Sequence, residues 1–300
     1  MDIRRVGVIG SGQMGTGVAQ VSARAGYETV LVKMTEGPVD KGKQAITKAL
    51  KREVDKERCS QEDMDATLGR LSCTNDLKDL ASCDLIIESV IEDHDEKAGL
   101  FCKLDAIVGD DAIFATNTST LSVTALAEAT KRPTRVIGLH FFNPAPVMKL
   151  VEVVPTLRTD KDVLATGEEF AKKVGKTGVR IRDFTGFVVN RLLTPYMVDA
   201  IRTLQEGLAS IDGIDSAMRL GANHPMGPLA LADFIGLDIV FHMATNLYEE
   251  YREPRLTPPP LLRRLVLAGH LGRKSGMGFY DYSEKPPRPN DALVSSVGDQ

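Results

Sequence analysis

The chain has 300 residues, enough for one large domain or two smaller ones, and its 43% hydrophobic content supplies a sizeable core. A formal net charge of −4 argues against nucleic acid as a partner, and no apolar run reaches the length that spans a membrane. Met1-Asp2-Ile3-Arg4-Arg5 runs straight into an apolar segment and does not read as a signal peptide. Cys59, Cys73, Cys83 and Cys102 are spaced for neither a zinc site nor a disulfide framework, so we expect no metal, and reduced thiols in a cytoplasmic protein.

In chain order, Ile3, Val6, Val8 and Ile9 predict a first strand. It leads into Gly10-Ser11-Gly12-Gln13-Met14-Gly15, a helix over 16–25 and a second strand over 28–32. In this G-x-G-x-x-G pattern the first glycine permits a sharp turn. The second leaves room for a pyrophosphate, and the third lets the helix pack on the strand. The amides at the helix start then favour the phosphate charge. The motif alone also fits an ordinary glycine-rich turn; its place between two strand candidates favours a dinucleotide. A basic helix over 38–57, with Lys41, Lys48, Lys51, Arg52 and Lys56, is either a solvated face or a contact for a highly phosphorylated ligand. Further predicted elements are a helix over 61–70, strands over 71–74 and 83–90, a helix over 95–109 and a strand over 112–115. A polar loop over 116–120 precedes a helix over 123–130 that Ser122 caps. Strands over 135–142 and 149–154 and a helix over 163–174 follow. This alternation predicts an α/β domain with a mostly parallel sheet, helices on both faces.

Three segments carry candidate chemistry. Asn117 and Ser119 follow a strand, where open parallel sheets bind ligands, though a capping loop explains them equally well. His140 and Glu152 lie symmetrically about Pro146. If the two strands turn back on each other there, the side chains become cross-strand neighbours. A carboxylate beside one imidazole nitrogen fixes the tautomer and leaves the other nitrogen to take a substrate proton. The alternative is a core histidine with a surface glutamate; beside the dinucleotide motif, the acid/base pair is favoured. Asn190 sits in the first turn of an apolar helix, where it is either a ligand contact or a buried amide bonded to backbone. From Phe187 the periodicity is helical, over 187–205, 211–220, 229–251 and 259–269. We therefore divide the chain into a dinucleotide-binding domain (1–184), a helical domain (185–282), to which the resemblance described below gives substrate binding and dimerisation, and a disordered, proline-bearing tail (283–300). Gly272-Arg273-Lys274-Ser275-Gly276-Met277-Gly278 reads as a phosphate-contacting loop or a simple C-terminal turn.

Together these segments resemble the 3-hydroxyacyl-CoA dehydrogenase family, most closely its short bacterial 3-hydroxybutyryl-CoA members. The resemblance is carried by Gly10–Gly15, Asp84–Asp93, Thr116–Ser119, Gly138-Leu139-His140-Phe141-Phe142-Asn143-Pro144, Thr185–Arg191, His224–Pro228 and Gly272–Tyr280. It implies a Rossmann-type domain followed by an all-helical one that forms a homodimer. It also implies an NAD-linked interconversion of (S)-3-hydroxyacyl-CoA and 3-oxoacyl-CoA. On it, His140 is the acid/base and Glu152 its orienting partner; Ser119 and Asn190 hold the substrate's C3 oxygen. Glu92, Lys97, Asn117, Asn143 and Lys274 contact the dinucleotide. Lys56 contacts CoA, although Ala49 replaces an expected serine. Lys33 stands where the family has an acid for the adenosine ribose. A cation there attracts a 2′-phosphate, so NADP joins NAD as a candidate cofactor, with Glu36 positioned to blunt the effect. Two other readings stay open: a gulonate-type sugar-acid dehydrogenase, against which the basic helix argues, and a non-catalytic, crystallin-like relative, against which the complete set of site residues argues.

Overall fold

The computed structural model describes residues 2–294. It forms two compact units that divide between Phe187 and Val188, each with a core of its own.

In the first unit the apolar runs become strands: β1 (Arg5–Ile9), β2 (Glu28–Val32), β3 (Leu71–Thr74), β4 (Leu85–Glu88), β5 (Ile113–Thr116) and β6 (Val136–Phe141). They are parallel and lie in the order β3-β2-β1-β4-β5-β6. They read as near-continuous apolar runs because helices cover both sheet faces. On one face, α1 (Gln13–Arg24), α2 (Lys41–Val54), α3 (Gln61–Gly69) and α6 (Lys161–Lys173) pack over Val8, Leu31, Ile46 and Phe170. On the other, α4 (His94–Leu104) and α5 (Val123–Glu128) cover Ile86, Phe101, Phe114 and Leu126. Ser122 caps α5, as expected, by accepting the Ala125 amide at 3.2 Å. The sheet continues with β7 (Leu150–Pro155), antiparallel to β6, and β8 (Thr177–Arg180), parallel to β7. Strand order reverses between β1 and β4, and a doubly wound sheet opens its ligand crevice beyond the carboxyl ends of such strands.

The second unit packs α7 (Val189–Gln205), α8 (Ile211–Gly221), α9 (Pro228–Ile235), α10 (Leu237–Tyr251) and α11 (Pro260–Leu267) around Met197, Ile201, Leu229, Val240, Leu262 and Phe279. The single helix expected over 229–251 is two. Gly236, at φ +109°, breaks it, and α9 and α10 meet at 98°. Among the described residues no single helix is long and apolar enough to cross a membrane.

Two further expectations are corrected. β8 went unread because its side chains are all exposed and show no alternation. The tail expected to be disordered from 283 is ordered through 294. There β9 (Tyr280–Asp281) pairs with β10 (Arg288–Pro289), and Asn290 is buried, donating to the Gly278 carbonyl at 2.8 Å. Backbone pairing and one buried amide hold a segment whose proline-rich composition offers little to a core. The rest of that tail, 295–300, lies outside the described residues.

Candidate active site

The turn after β1 matches the physical roles of its glycines. A Cβ on Gly10 (φ +108°) would lie 2.3 Å from the Ser89 carbonyl oxygen, and one on Gly15 1.8 Å from that of Gly10. These two glycines press the start of α1 onto the ends of β1 and β4. Gly12 has open space on its side-chain side, and α1 begins there with no side-chain cap. Ser11 accepts the Thr16 hydroxyl at 3.1 Å, while Gln13 is exposed and Met14 half-buried. Uncapped amides at a helix start beside an open glycine suit a phosphate group.

The β6–β7 hairpin turns back as the pattern about Pro146 allows, pairing His140 with Glu152 in register. Both side chains are buried, and Nδ1 lies 2.6 Å from Glu152 Oε2. The carboxylate holds the proton on Nδ1. Among the described residues Nε2 has no hydrogen-bond partner. The rings of Phe142 and Phe187 lie 4.5 and 5.4 Å from the imidazole centroid. Phe187 is buried at φ +50°, a left-handed conformation in which a bulky residue is strained. Asn143, which follows Phe142, is exposed.

Beyond β4 and β5 lies a second polar cluster. Glu92 Oε1 accepts from Thr118 Oγ1 (2.6 Å), the amides of Ser119 (2.7 Å) and Thr120 (3.0 Å), and Ser119 Oγ (3.1 Å). Burial pushes the Glu92 carboxyl up; Lys97 and these donors outweigh it and hold the group below its ordinary range. Asn117 is committed at both ends: its amide nitrogen donates to Ser89 Oγ at 3.2 Å, and its oxygen accepts the Phe141 amide at 2.7 Å. It ties the ends of β4 and β5 to the residue after His140.

Lys33 is buried at the end of β2, and its ammonium donates to the carbonyls of Thr35 and Glu36 and to Thr35 Oγ1. Lys56 is exposed in the turn after α2. In the helical unit, Asn190 is half-buried in the first turn of α7, and Lys274 pairs with Asp238 at 2.5 Å. The glycine-rich segment around Lys274 is clamped. Asp233 accepts the amides of Phe279 and Tyr280, both at 2.9 Å, and the Tyr282 hydroxyl at 3.1 Å. A Cβ on Gly278 would lie 2.0 Å from Asp233 Oδ1, and one on Gly272 2.3 Å from the Asp233 carbonyl. The glycines are there to admit a buried carboxylate.

Sequence reasoning missed Glu88, Phe187, Asp215 and Asp233. Glu88 left one signal, a charge ending the apolar run Leu85-Ile86-Ile87, whereas the others depend on contacts far along the chain.

Comparison with known proteins extends over both units. The NAD-binding domain model of 3-hydroxyacyl-CoA dehydrogenase matches residues 5–184, and the C-terminal domain model of the same family matches 186–282. The 3-hydroxybutyryl-CoA dehydrogenase of Mycobacterium tuberculosis is 49% identical over 282 residues, covering 93% of this chain and 99% of its own. That of Bradyrhizobium diazoefficiens is 45% identical, covering 96% and 98%. The crystal structure of (S)-3-hydroxybutyryl-CoA dehydrogenase PaaH1 from Ralstonia eutropha superposes with a TM-score of 0.91 at 43% identity, covering 94% of this chain and all of that one. With a dinucleotide-type glycine turn, a paired histidine and carboxylate, and full-length similarity in both units, the chain belongs to the 3-hydroxyacyl-CoA dehydrogenase family.

Proposed function

We propose that this protein interconverts (S)-3-hydroxybutyryl-CoA and acetoacetyl-CoA by hydride transfer with a nicotinamide dinucleotide. The observation that carries the reading is the buried 2.6 Å contact between His140 and Glu152, with Nε2 left to exchange a proton. In the oxidation, the C3 hydroxyl proton passes to Nε2, and Glu152 stabilises the imidazolium that results. The hydride leaving C3 would go to bound NAD, which is the chemistry the cofactor would supply, and C3 would become a ketone. Ser119 holds the C3 oxygen, and Asn190 is the substrate-contacting candidate of the helical unit. Gly12 and the first-turn amides of α1 take the pyrophosphate, with Glu92, Asn143 and Lys274 supporting the rest of the dinucleotide. Lys56 takes a phosphate of CoA. Leu192, Leu220, Phe234 and Leu267 are exposed on the helical unit and support a homodimer, to be tested by light scattering. Four free thiols support a reducing, cytoplasmic setting.

NADP(H) is accepted beside NAD(H). Lys33 removes the carboxylate that repels a 2′-phosphate. Its donors are committed to Thr35 and Glu36, so it supplies positive charge rather than a direct contact. Acetoacetyl-CoA reduction with each cofactor tests both points. Turnover is expected with both, with kcat/KM differing by less than roughly tenfold, about 1.4 kcal/mol. A hundredfold preference for NADH contradicts the NADP reading, and no turnover with either contradicts the function.

A further inference from the structure

Phe187 stands in a backbone conformation that its residue type disfavours. Its φ is +50°, one residue after Gly186 at +81°, and it is 3% exposed, in the core on the α4–α5 side of the sheet. A bulky residue in the left-handed region is strained and persists there only where its surroundings impose it. Two anchors impose it. Asp183 accepts the Val123 amide at 3.0 Å, the Thr124 amide at 2.7 Å and the Ser122 hydroxyl at 3.1 Å, which fixes the segment to the start of α5. The Phe187 amide then donates to the Phe184 carbonyl at 2.9 Å and closes a tight turn. The turn sets the Phe187 ring 5.4 Å from the His140 imidazole, tilted by 53°, while Phe142 approaches the same imidazole at 4.5 Å, tilted by 55°. Neither phenyl ring carries a hydrogen-bonding atom, so neither engages Nε2.

From this geometry we propose that Phe187 is a positioning residue that holds the His140 imidazole in one orientation and acts through it. The Glu152 carboxylate fixes Nδ1, but a single hydrogen bond leaves the ring free to tilt about that contact, and the tilt displaces Nε2. Phe142 and Phe187 restrict the tilt without offering Nε2 a partner that competes with substrate. Displacing a reacting atom by about 1 Å costs on the order of a hundredfold in rate. Glycine would suit the backbone at this position better, and phenylalanine brings a ring in exchange for strain. The inference rests on the acid/base role proposed for His140.

The test compares Phe187→Ala, Phe187→Gly and Phe187→Leu with the unaltered enzyme. It reads acetoacetyl-CoA reduction, NADH binding, urea midpoint and the imidazole signals in nitrogen-15 NMR of histidine-labelled protein. His140→Gln identifies the His140 pair among the five histidines. Phe187→Ala should lower kcat by about tenfold to a hundredfold, with KM for acetoacetyl-CoA and Kd for NADH within about twofold, because the imidazole loosens and no ligand contact is lost. Phe187→Gly relieves the backbone, so it should unfold at higher urea than Phe187→Ala and yet be no faster. Phe187→Leu keeps apolar bulk and should lie between Phe187→Ala and the unaltered enzyme. At alkaline pH the unaltered protein should show His140 protonated on Nδ1 alone, and Phe187→Ala should draw its two nitrogen signals together as the ring samples both tautomers. Full recovery of kcat in Phe187→Gly would overturn the inference, since the turn alone would then suffice. So would unchanged nitrogen signals in Phe187→Ala, or a tenfold rise in KM or Kd with kcat preserved, which would give Phe187 to the fold or to a ligand. If the alanine and glycine variants fail to fold, Phe187→Leu decides by its kcat and its nitrogen signals. Absence of turnover by the unaltered enzyme defeats the proposed function instead, and the nitrogen signals still show whether Phe187 orients the ring.

Discussion

The β6–β7 hairpin and the helical unit both bury carboxylates, and they use them differently. Glu152 faces an imidazole, a group that can take up charge and still keep one nitrogen for a substrate. Asp215 accepts the Leu229 and Ala230 amides and the Tyr280 hydroxyl at 2.8–2.9 Å, and Asp233 accepts two more amides and the Tyr282 hydroxyl. Asp215 and Asp233 both accept from backbone amides and a tyrosine hydroxyl, so these acids fasten a glycine-rich segment to α8 and α9. The buried Glu152 thus serves chemistry because its partner keeps a second nitrogen for a substrate, whereas Asp215 and Asp233 serve architecture.

The comparison breaks most easily at His140. His140→Gln should lower kcat by about a thousandfold, while the Kd for NADH stays close to its original value. Lost NADH binding would make the histidine architectural too. The next effect belongs to Asp233. Burial pushes its carboxyl up to about 6, with Asp215 adding to the rise and the Phe279 and Tyr280 amides opposing it. An acid raised above its unfolded value of about 3.9 binds protons more tightly when folded. Its stabilising contribution is present at low pH and is lost as pH rises through about 6. Between pH ~4 and ~7 the change is on the order of 3 kcal/mol. Denaturant titrations of the unaltered protein and Asp233→Asn across that range should show the pH slope in the first and its loss in the second. Glu152→Gln keeps the shape of the hairpin but not the charge. It should cost about a hundredfold in kcat with little change in urea midpoint, the signature of a partner that acts through the histidine. A large drop in stability with kcat intact would place Glu152 with Asp215 and Asp233. The smallest effect is at Lys33: Lys33→Asp should shift the NADH-to-NADPH preference towards NADH by roughly tenfold, read as a ratio of kcat/KM values.

Much of the fold and the centre of the site were legible because they follow local rules. Buried parallel strands are apolar throughout, so β1, β4 and β5 stood out, and Ser122 signalled its helix start. The spacing of His140 and Glu152 about Pro146 anticipated their register once the strands proved antiparallel. What stayed hidden depends on partners distant in sequence. Lys97 looks like a surface lysine until Glu88 closes over it. The loop over 272–278 looked suited to phosphate because nothing local shows that Asp233 fills it. The end of β2 was read as a cation facing a ligand, and the carbonyls of Thr35 and Glu36 give that charge a structural role as well.

The central claim is that the pair of His140 and Glu152 exchanges a proton with an acyl-CoA substrate. The most direct measurement is the rate of NADH oxidation by acetoacetyl-CoA with the unaltered enzyme and His140→Gln side by side, each at saturating NADH. The account predicts turnover by the first and almost none by the second, with NADH bound equally well by both. Equal turnover by the two, or none by the unaltered enzyme at high concentration, would contradict it.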